Sequence, residues 1–199
     1  VLNRSGAYFT WLPDDEVNKD GDYSIFSFNT LLFFYTMGSR EELMTPVLDL
    51  TQVGKPAVKF DMAYNYHKYG PPILQSERIF TDTLEISVST DCGETFEVLY
   101  KKYGEELATA EDPIENATQL DDALYTPGDD DWRTEQVKLS DYADATNAVI
   151  KFTYISGQGG NIYIDNVRVE KEGINSVEEE PEIADKKDAI EIPEIVGRV

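Results

Sequence analysis

Over residues 82–96, DTLEISVSTDCGETF, apolar and polar positions alternate: Leu84, Ile86 and Val88 fall on one side, Thr83, Glu85, Ser87 and Ser89 on the other. Residues 161–169, NIYIDNVRV, repeat the beat with Ile162, Ile164 and Val167, and Asp165-Asn166 interrupt it. A period of two sends successive side chains to opposite faces, so both stretches predict strands with one buried face and one wet face. The cluster Asp91-Cys92-Gly93-Glu94 predicts a hairpin turn joining DTLEISVST to TFEVLYKKY. Further strands are predicted over 6–11, 23–28, 47–50 (edged by Pro46), 57–66, 135–139 and 148–154. A polar loop is expected over 13–22, an acidic surface excursion over 104–131, and a turn at Gly157, Gly159 and Gly160. No segment keeps a helical period over helical length. The expectation is therefore an all-β fold, a jelly-roll (Greek-key) β-sandwich over 1–171 with its N-terminal part incomplete. Residues 172–199, with Glu178-Glu179-Glu180-Pro181 and Asp185-Lys186-Lys187-Asp188, read as an acidic linker-like tail.

Composition narrows the function classes. A 199-residue chain can bury one sizeable core, and 41% hydrophobic content is that of a globular domain. The net charge of −22 repels phosphate backbones, and no basic patch with interleaved aromatics occurs, which excludes nucleic acid as a partner. The longest apolar run, Leu31-Leu32-Phe33-Phe34-Tyr35, is far short of the roughly 20 residues a spanning helix needs, so membrane insertion is not expected. A lone cysteine, Cys92, excludes an internal disulfide and reads as a small turn filler. The chain starts at Val1-Leu2-Asn3 without a leader pattern and is expected to be a piece of a longer protein.

Several words stand in a recognisable order: Leu43-Met44-Thr45-Pro46-Val47-Leu48-Asp49-Leu50, Phe60-Asp61-Met62-Ala63-Tyr64, Asp82-Thr83-Leu84 through Ser89-Thr90-Asp91-Cys92-Gly93, Asp131-Trp132 to Leu139-Ser140, and Gly160-Asn161-Ile162-Tyr163-Ile164-Asp165-Asn166-Val167. Over residues 40–170 this order resembles the MAM-like, cleaved-adhesin or choice-of-anchor jelly-roll domains of secreted Bacteroidetes proteins. Phe96 stands where that family commonly has Trp, and no Pro-Asn-Pro sorting word appears in the tail. The resemblance implies a non-catalytic adhesion or substrate-targeting module of a larger secreted or cell-surface bacterial protein, binding glycan or protein ligands. A dedicated carbohydrate-binding module is the narrower alternative, and a hydrolase of unknown type the third.

The residues bear on each of these. The one histidine, His67, has no Gly-x-Ser-x-Gly elbow or His-Glu-x-x-His to serve, and 39 acidic residues single out no carboxylate pair, so the chain is not expected to be an enzyme. Tyr66, His67 and Tyr69, beside Gly70-Pro71-Pro72, are the expected exposed ligand-binding residues: a ring to stack a sugar, an imidazole to bond it. Phe60, Met62 and Tyr64 are read as core. In Glu16-Val17-Asn18-Lys19-Asp20-Gly21-Asp22, Asn18, Asp20 and Asp22 place oxygens at alternate positions, although Ser27, twelfth from Glu16, rules out an EF-hand; a solvated acidic turn is the competing reading. Asp165, an acid in an apolar strand, needs either a cation or backbone amides. The resemblance implies a structural calcium near that strand and the N-terminal loop, with Asp165, Asn18, Asp20 and Asp22 as ligands. Asp82-Thr83-Leu84 also fits a short O-glycosylation pattern, with strand registry the competing reading, and Asn116-Ala117-Thr118 is an N-glycosylation sequon.

Overall fold

The computed structural model describes residues 11–27, 37–68, 80–114, 125–173 and 189–191. Among the described residues ten strands carry the fold: β1 (Trp11–Asp14), β2 (Ser24–Ser27), β3 (Arg40–Met44), β4 (Pro56–Tyr64), β5 (Thr83–Ser89), β6 (Glu97–Tyr103), β7 (Arg133–Lys138), β8 (Val149–Ile155), β9 (Ile162–Lys171) and β10 (Ala189–Glu191). They form two antiparallel sheets, β1-β2-β9-β4-β7 with β10 also on β9, and β3-β8-β5-β6. The pairs β2–β9, β3–β8, β4–β7 and β5–β6 are nested, the first with the last and the middle two with each other. That nesting is the signature of a jelly roll: one long antiparallel ribbon wrapped over itself into a sandwich.

Alternation dictates the core. Phe60, Met62 and Tyr64 of β4 and Ile162, Ile164 and Val169 of β9 meet Leu84, Ile86 and Val88 of β5 and Ile150, Phe152 and Tyr154 of β8. Phe60 packs edge-on against Phe152, ring centroids 5.1 Å apart. At the open side, Lys102 of β6 reaches Glu135 of β7 at 2.7 Å, and the Arg133 Nε pairs with the same carboxylate at 2.8 Å, closing the sandwich with charge where apolar side chains end.

Two bulges break the period. In β9 the pairs Asp61↔Asp165 and Lys59↔Arg168 leave one residue extra, at Asn166 with φ +51°. The interrupted beat at Asp165-Asn166 is this bulge. In β6 the pairs Ile86↔Tyr100 and Ser87↔Val98 leave Leu99 extra.

Some expected elements differ. Residues 47–50 are not a strand: Leu48 makes only an isolated bridge with Ala148, and a 3₁₀ turn follows at Leu50–Gln52, capped by Asp49. β3 went unpredicted because Arg40-Glu41-Glu42 looks like a loop. The charges of Arg40 and Glu42 instead pair across the sheet, to Glu85 and Lys151. The excursion after β6 opens with a single helical turn, α1 (Gly104–Leu107), and its other described residues reach the outer face of the six-stranded sheet. There Ala110, Ile114, Tyr125 and Trp132 pack with Ala63, Phe26 and Tyr163. Among the described residues no helix is long and apolar enough to cross a membrane.

Candidate functional site

Most words that carried the resemblance turn out to hold the fold. Asp91 closes the β5–β6 turn, accepting the Ser89 hydroxyl at 2.6 Å and the Thr95 amide and hydroxyl at 2.9 and 2.6 Å. These bonds hold its carboxyl well below the usual carboxylate range. Cys92 and Gly93 take the positive φ values the turn needs, +63° and +90°. Thr45 Oγ1 accepts the Ile150 amide at 3.0 Å.

Asp82 is the most heavily bonded of these groups. It is fully buried, and its carboxylate accepts the amides of Gly157, Gly159 and Gly160 at 2.7, 3.1 and 2.7 Å. The hydroxyls of Tyr154 and Tyr64 lie 2.7 and 3.1 Å from its Oδ2. The glycines are required: a Cβ on Gly157 would stand 1.8 Å from the Thr81 carbonyl, and one on Gly159 would stand 2.5 Å from Asp82 Oδ2. Asp82 therefore anchors the loop between β8 and β9, and the Asp-Thr-Leu word belongs first to this anchor. The sequon at 116–118 lies outside the described residues.

Asp165 has the same kind of role. Its Oδ2 accepts the amides of Lys19 at 2.8 Å and Asp20 at 3.1 Å, and its Oδ1 accepts the amide of Asn166 at 2.6 Å. The N-terminal loop does reach the last strand, but it presents N–H donors to this carboxylate. Asn166 also donates to Asp61 at 2.9 Å, and Thr134 donates to Asp61 as well. Asp20 and Asp22 are exposed, Asn18 is half-buried, and the Asp20 Oδ1 accepts the Gly21 amide at 2.9 Å. Among the described residues no group of three or more His, Cys, Asp or Glu side chains is gathered as a metal would require. Two amide protons aimed at Asp165 Oδ2 occupy the positions a cation would take on that oxygen, so the donor set does not fit calcium there.

The expected ligand-binding trio is divided. His67 is fully buried, bridging Phe80 and Ile114 through its backbone, so its imidazole is not offered to solvent. That corrects the expectation of exposure. The segment after β4 is pinned under the excursion by backbone bonds from Lys68 to Ile114 and from Phe80 to His67. Tyr69 lies outside the described residues. Tyr66 is buried at 7% exposure and packs in the core, which corrects its expected exposure too, although it also lines a cleft.

That cleft lies where β6 runs into α1, an open depression of about 460 Å³ lined by Tyr66, Thr81, Tyr103, Gly104, Glu105 and Glu106. Gly104 makes the corner at φ +55°. Tyr66 donates its hydroxyl to Glu105 Oε1 at 3.4 Å, and burial and then the Glu105 charge push its phenol up. Tyr103, 60% exposed, forms the rim. Tyr103 also ends the outer face of the four-stranded sheet, where register places Thr83, Glu85, Ser87 and Ser89 between Lys101 and Val98 of β6 and Lys151, Thr153 and Ile155 of β8. Glu85 pairs with Arg40 at 2.5 Å and Lys101 at 2.9 Å. Burial pushes its carboxyl up, but these partners outweigh that and hold it below the usual glutamate value. Lys151 bonds Glu42 at 3.0 Å and lies 3.9 Å over the Phe96 ring. One face of the sandwich is therefore covered by loops, while the other carries ion pairs over buried Ser87, Ser89 and Thr153 and ends at an aromatic and acidic cleft.

No family model and no curated protein matches the sequence. Among solved structures, the chain is similar to the K3 cleaved adhesin domain of Lys-gingipain from Porphyromonas gingivalis, at 15% identity and TM-score 0.47, covering 75% of this chain and 74% of that one. It is similar to the carbohydrate-binding module CBM27-1 of Caldicellulosiruptor saccharolyticus, solved with mannohexaose, at 14% identity and TM-score 0.48, covering 84% and 86%. It is also similar to a family 30 carbohydrate-binding module of a Clostridium thermocellum cellulosomal cellulase, at 12% identity and TM-score 0.45, covering 82% and 83%. At identities this low and with superpositions this partial, the reading of the site rests on the chain's own geometry.

Proposed function

We propose that this chain is a non-catalytic adhesion or substrate-targeting module that holds a glycan along the outer face of β3-β8-β5-β6 and in the cleft at its end, as part of a larger secreted or cell-surface bacterial protein. The observation that carries this is Tyr103, a ring 60% exposed at the join of face and cleft, with Tyr66 and the carboxylates of Glu105 and Glu106 beside it. A flat ring stacks on the apolar face of a pyranose, and flanking carboxylates and hydroxyls exchange hydrogen bonds with its rim. The groups that nucleophilic chemistry would recruit lie elsewhere. His67 is fully buried, and Cys92 sits in the β5–β6 turn at the far end of β5 from the cleft. A glycan array with wild type and Tyr103→Ala tests the reading. Wild type should capture at least one glycan class and Tyr103→Ala should lose it. Unchanged capture by Tyr103→Ala, or no capture by wild type, would overturn it.

A further inference from the structure

We infer that the second half of β9 is a strand-pairing edge for a second copy of this chain, and that β10 is the intramolecular guard that occupies it. The pairing is independent of the glycan reading above.

A strand inside a sheet has two backbone edges to cover. β4 runs along one edge of β9 from Tyr64↔Ile162 to Pro56↔Lys171. β2 covers the other only at Ile162–Ile164. Past the bulge at Asn166 that second edge is paired, among the described residues, by β10 alone, as Ala189↔Glu170, Ile190↔Val169 and Glu191↔Arg168. Left open, it would present unpaired N–H and C=O groups beside fully buried Val169, an arrangement that recruits another strand. β10 is only three residues long, and a strand of that length holds weakly by itself. Its tether through residues 172–188 gives it an advantage, since a flexible connection supplies an effective concentration on the order of millimolar.

The residues of the edge show what else fits it. Val167-Arg168-Val169-Glu170-Lys171 reads as its own complement. Antiparallel pairing of two copies about a two-fold axis at Val169 sets Val169 opposite Val169, and Arg168 of each copy opposite Glu170 of the other. Opposite charges directly across an antiparallel pair are favourable and like charges are not. β10 supplies the same pattern less fully. Ile190 takes the central place and Glu191 the place opposite Arg168, but Ala189 stands opposite Glu170, where a second copy brings an arginine. A patch that complements itself closes as a two-fold dimer and stops there. Because β9 lies in the sheet opposite β3-β8-β5-β6, such a dimer leaves the outer face of that sheet free on both copies.

Sedimentation velocity of the full chain tests this. Wild type should stay monomeric as its concentration rises. Ile190→Pro removes a ladder donor from β10 and should free the edge, doubling the sedimenting mass. Ile190→Asp keeps every backbone donor, sets a charge opposite Val169 and should do the same, so the test survives if the proline variant does not fold by circular dichroism. In either background Arg168→Glu should weaken the dimer at least about tenfold, because two facing pairs turn from opposite to like charge. Arg168 also donates to the Asn166 carbonyl at 2.9 Å, so the deciding arm is Arg168→Glu with Glu170→Arg, which reverses both charges, keeps the complement and should restore the dimer. A folded Ile190 variant that remains monomeric overturns the inference. So does an association that ignores Arg168→Glu or is not restored by the double reversal, and a wild type that dimerises as readily as the Ile190 variants shows that β10 guards nothing.

Discussion

Replacing Asp82 is the most direct way to test whether the loop between β8 and β9 hangs from one carboxylate. Asp82→Ala removes the acceptor for the Gly157, Gly159 and Gly160 amides. Tyr154 keeps the Gly160 carbonyl as acceptor at 2.6 Å, and the Tyr64 oxygen still accepts the amide of residue 82 at 2.9 Å, although the Tyr64 proton loses its acceptor. The glycine amides lose theirs as well. Gly159 and Gly160 are buried, and at about 1 to 3 kcal/mol for each buried donor left unsatisfied, with less for half-buried Gly157, the loss is about 3 to 6 kcal/mol. Against a usual total of about 5 to 15 kcal/mol this is severe, a drop in Tm on the order of 10 °C or more for a domain of this size. Asp82→Asn keeps one acceptor oxygen and should cost about half as much. Protonation adds a second signature. The Tyr154 hydroxyl has one proton for two acceptors, Asp82 Oδ2 at 2.7 Å and the Gly160 carbonyl, and a proton on Asp82 would complete the set. Burial pushes the Asp82 carboxyl up, despite the bonds from Tyr154 and the three glycine amides. A folded-state value above the unfolded one contributes stability that is full below the ordinary carboxylate range and lost as pH rises through the folded value. The advantage of wild type over Asp82→Asn should therefore narrow from acid toward neutral pH. Thermal unfolding by circular dichroism across pH, with hydrogen exchange at the three glycine amides, measures both effects. An Asp82→Ala protein melting within about two degrees of wild type, with those amides still protected, would refute the reasoning.

Two further predictions rest on the same geometry. Gly157→Ala should destabilise by about 1 to 3 kcal/mol or more through backbone collision with Thr81, whereas Gly54→Ala, whose Cβ meets nothing within 4 Å, should be neutral or slightly stabilising; urea denaturation of the pair separates a steric demand from a general cost of replacing glycine. Asp165→Ala should loosen the loop at Lys19 and Asp20 at a cost of about 1 to 2 kcal/mol, and wild type should melt identically in calcium and in chelator, because amides occupy that carboxylate; a chelator-dependent fall in Tm would show a cation there instead.

The residue pattern alone specifies the strands of the sandwich interior. Leu84, Ile86 and Val88, or Phe60, Met62 and Tyr64, must bury one face, and the chain has no helical period to bury it any other way. Even the β9 bulge is legible, as the broken beat at Asp165-Asn166. Local pattern says nothing about which distant group meets which. Asp165 announced its need for a partner, but whether that partner was a cation or two amides depended on how residues 19 and 20 arrive from 145 or more positions away. The same holds for Asp82, whose ligands are the glycine amides of residues 157–160. β3 was hidden because its charges find their counterparts only across strands, on β5 and β8. In the candidate site Tyr66 was legible as an aromatic beyond a core strand, while His67 was buried by an excursion that packs back over it. Tyr103 was lost because the extra residue at Leu99 reverses the parity of β6: Val98 and Tyr103 share the outer face although Tyr100 between them is packed against the core. Glu105 and Glu106 were two acids among 39 until the corner at Gly104 set them beside two tyrosine rings. Periodicity determines which face of a strand is apolar, because that depends on neighbours in sequence; sites are made by neighbours in space, and only the folded ribbon decides those.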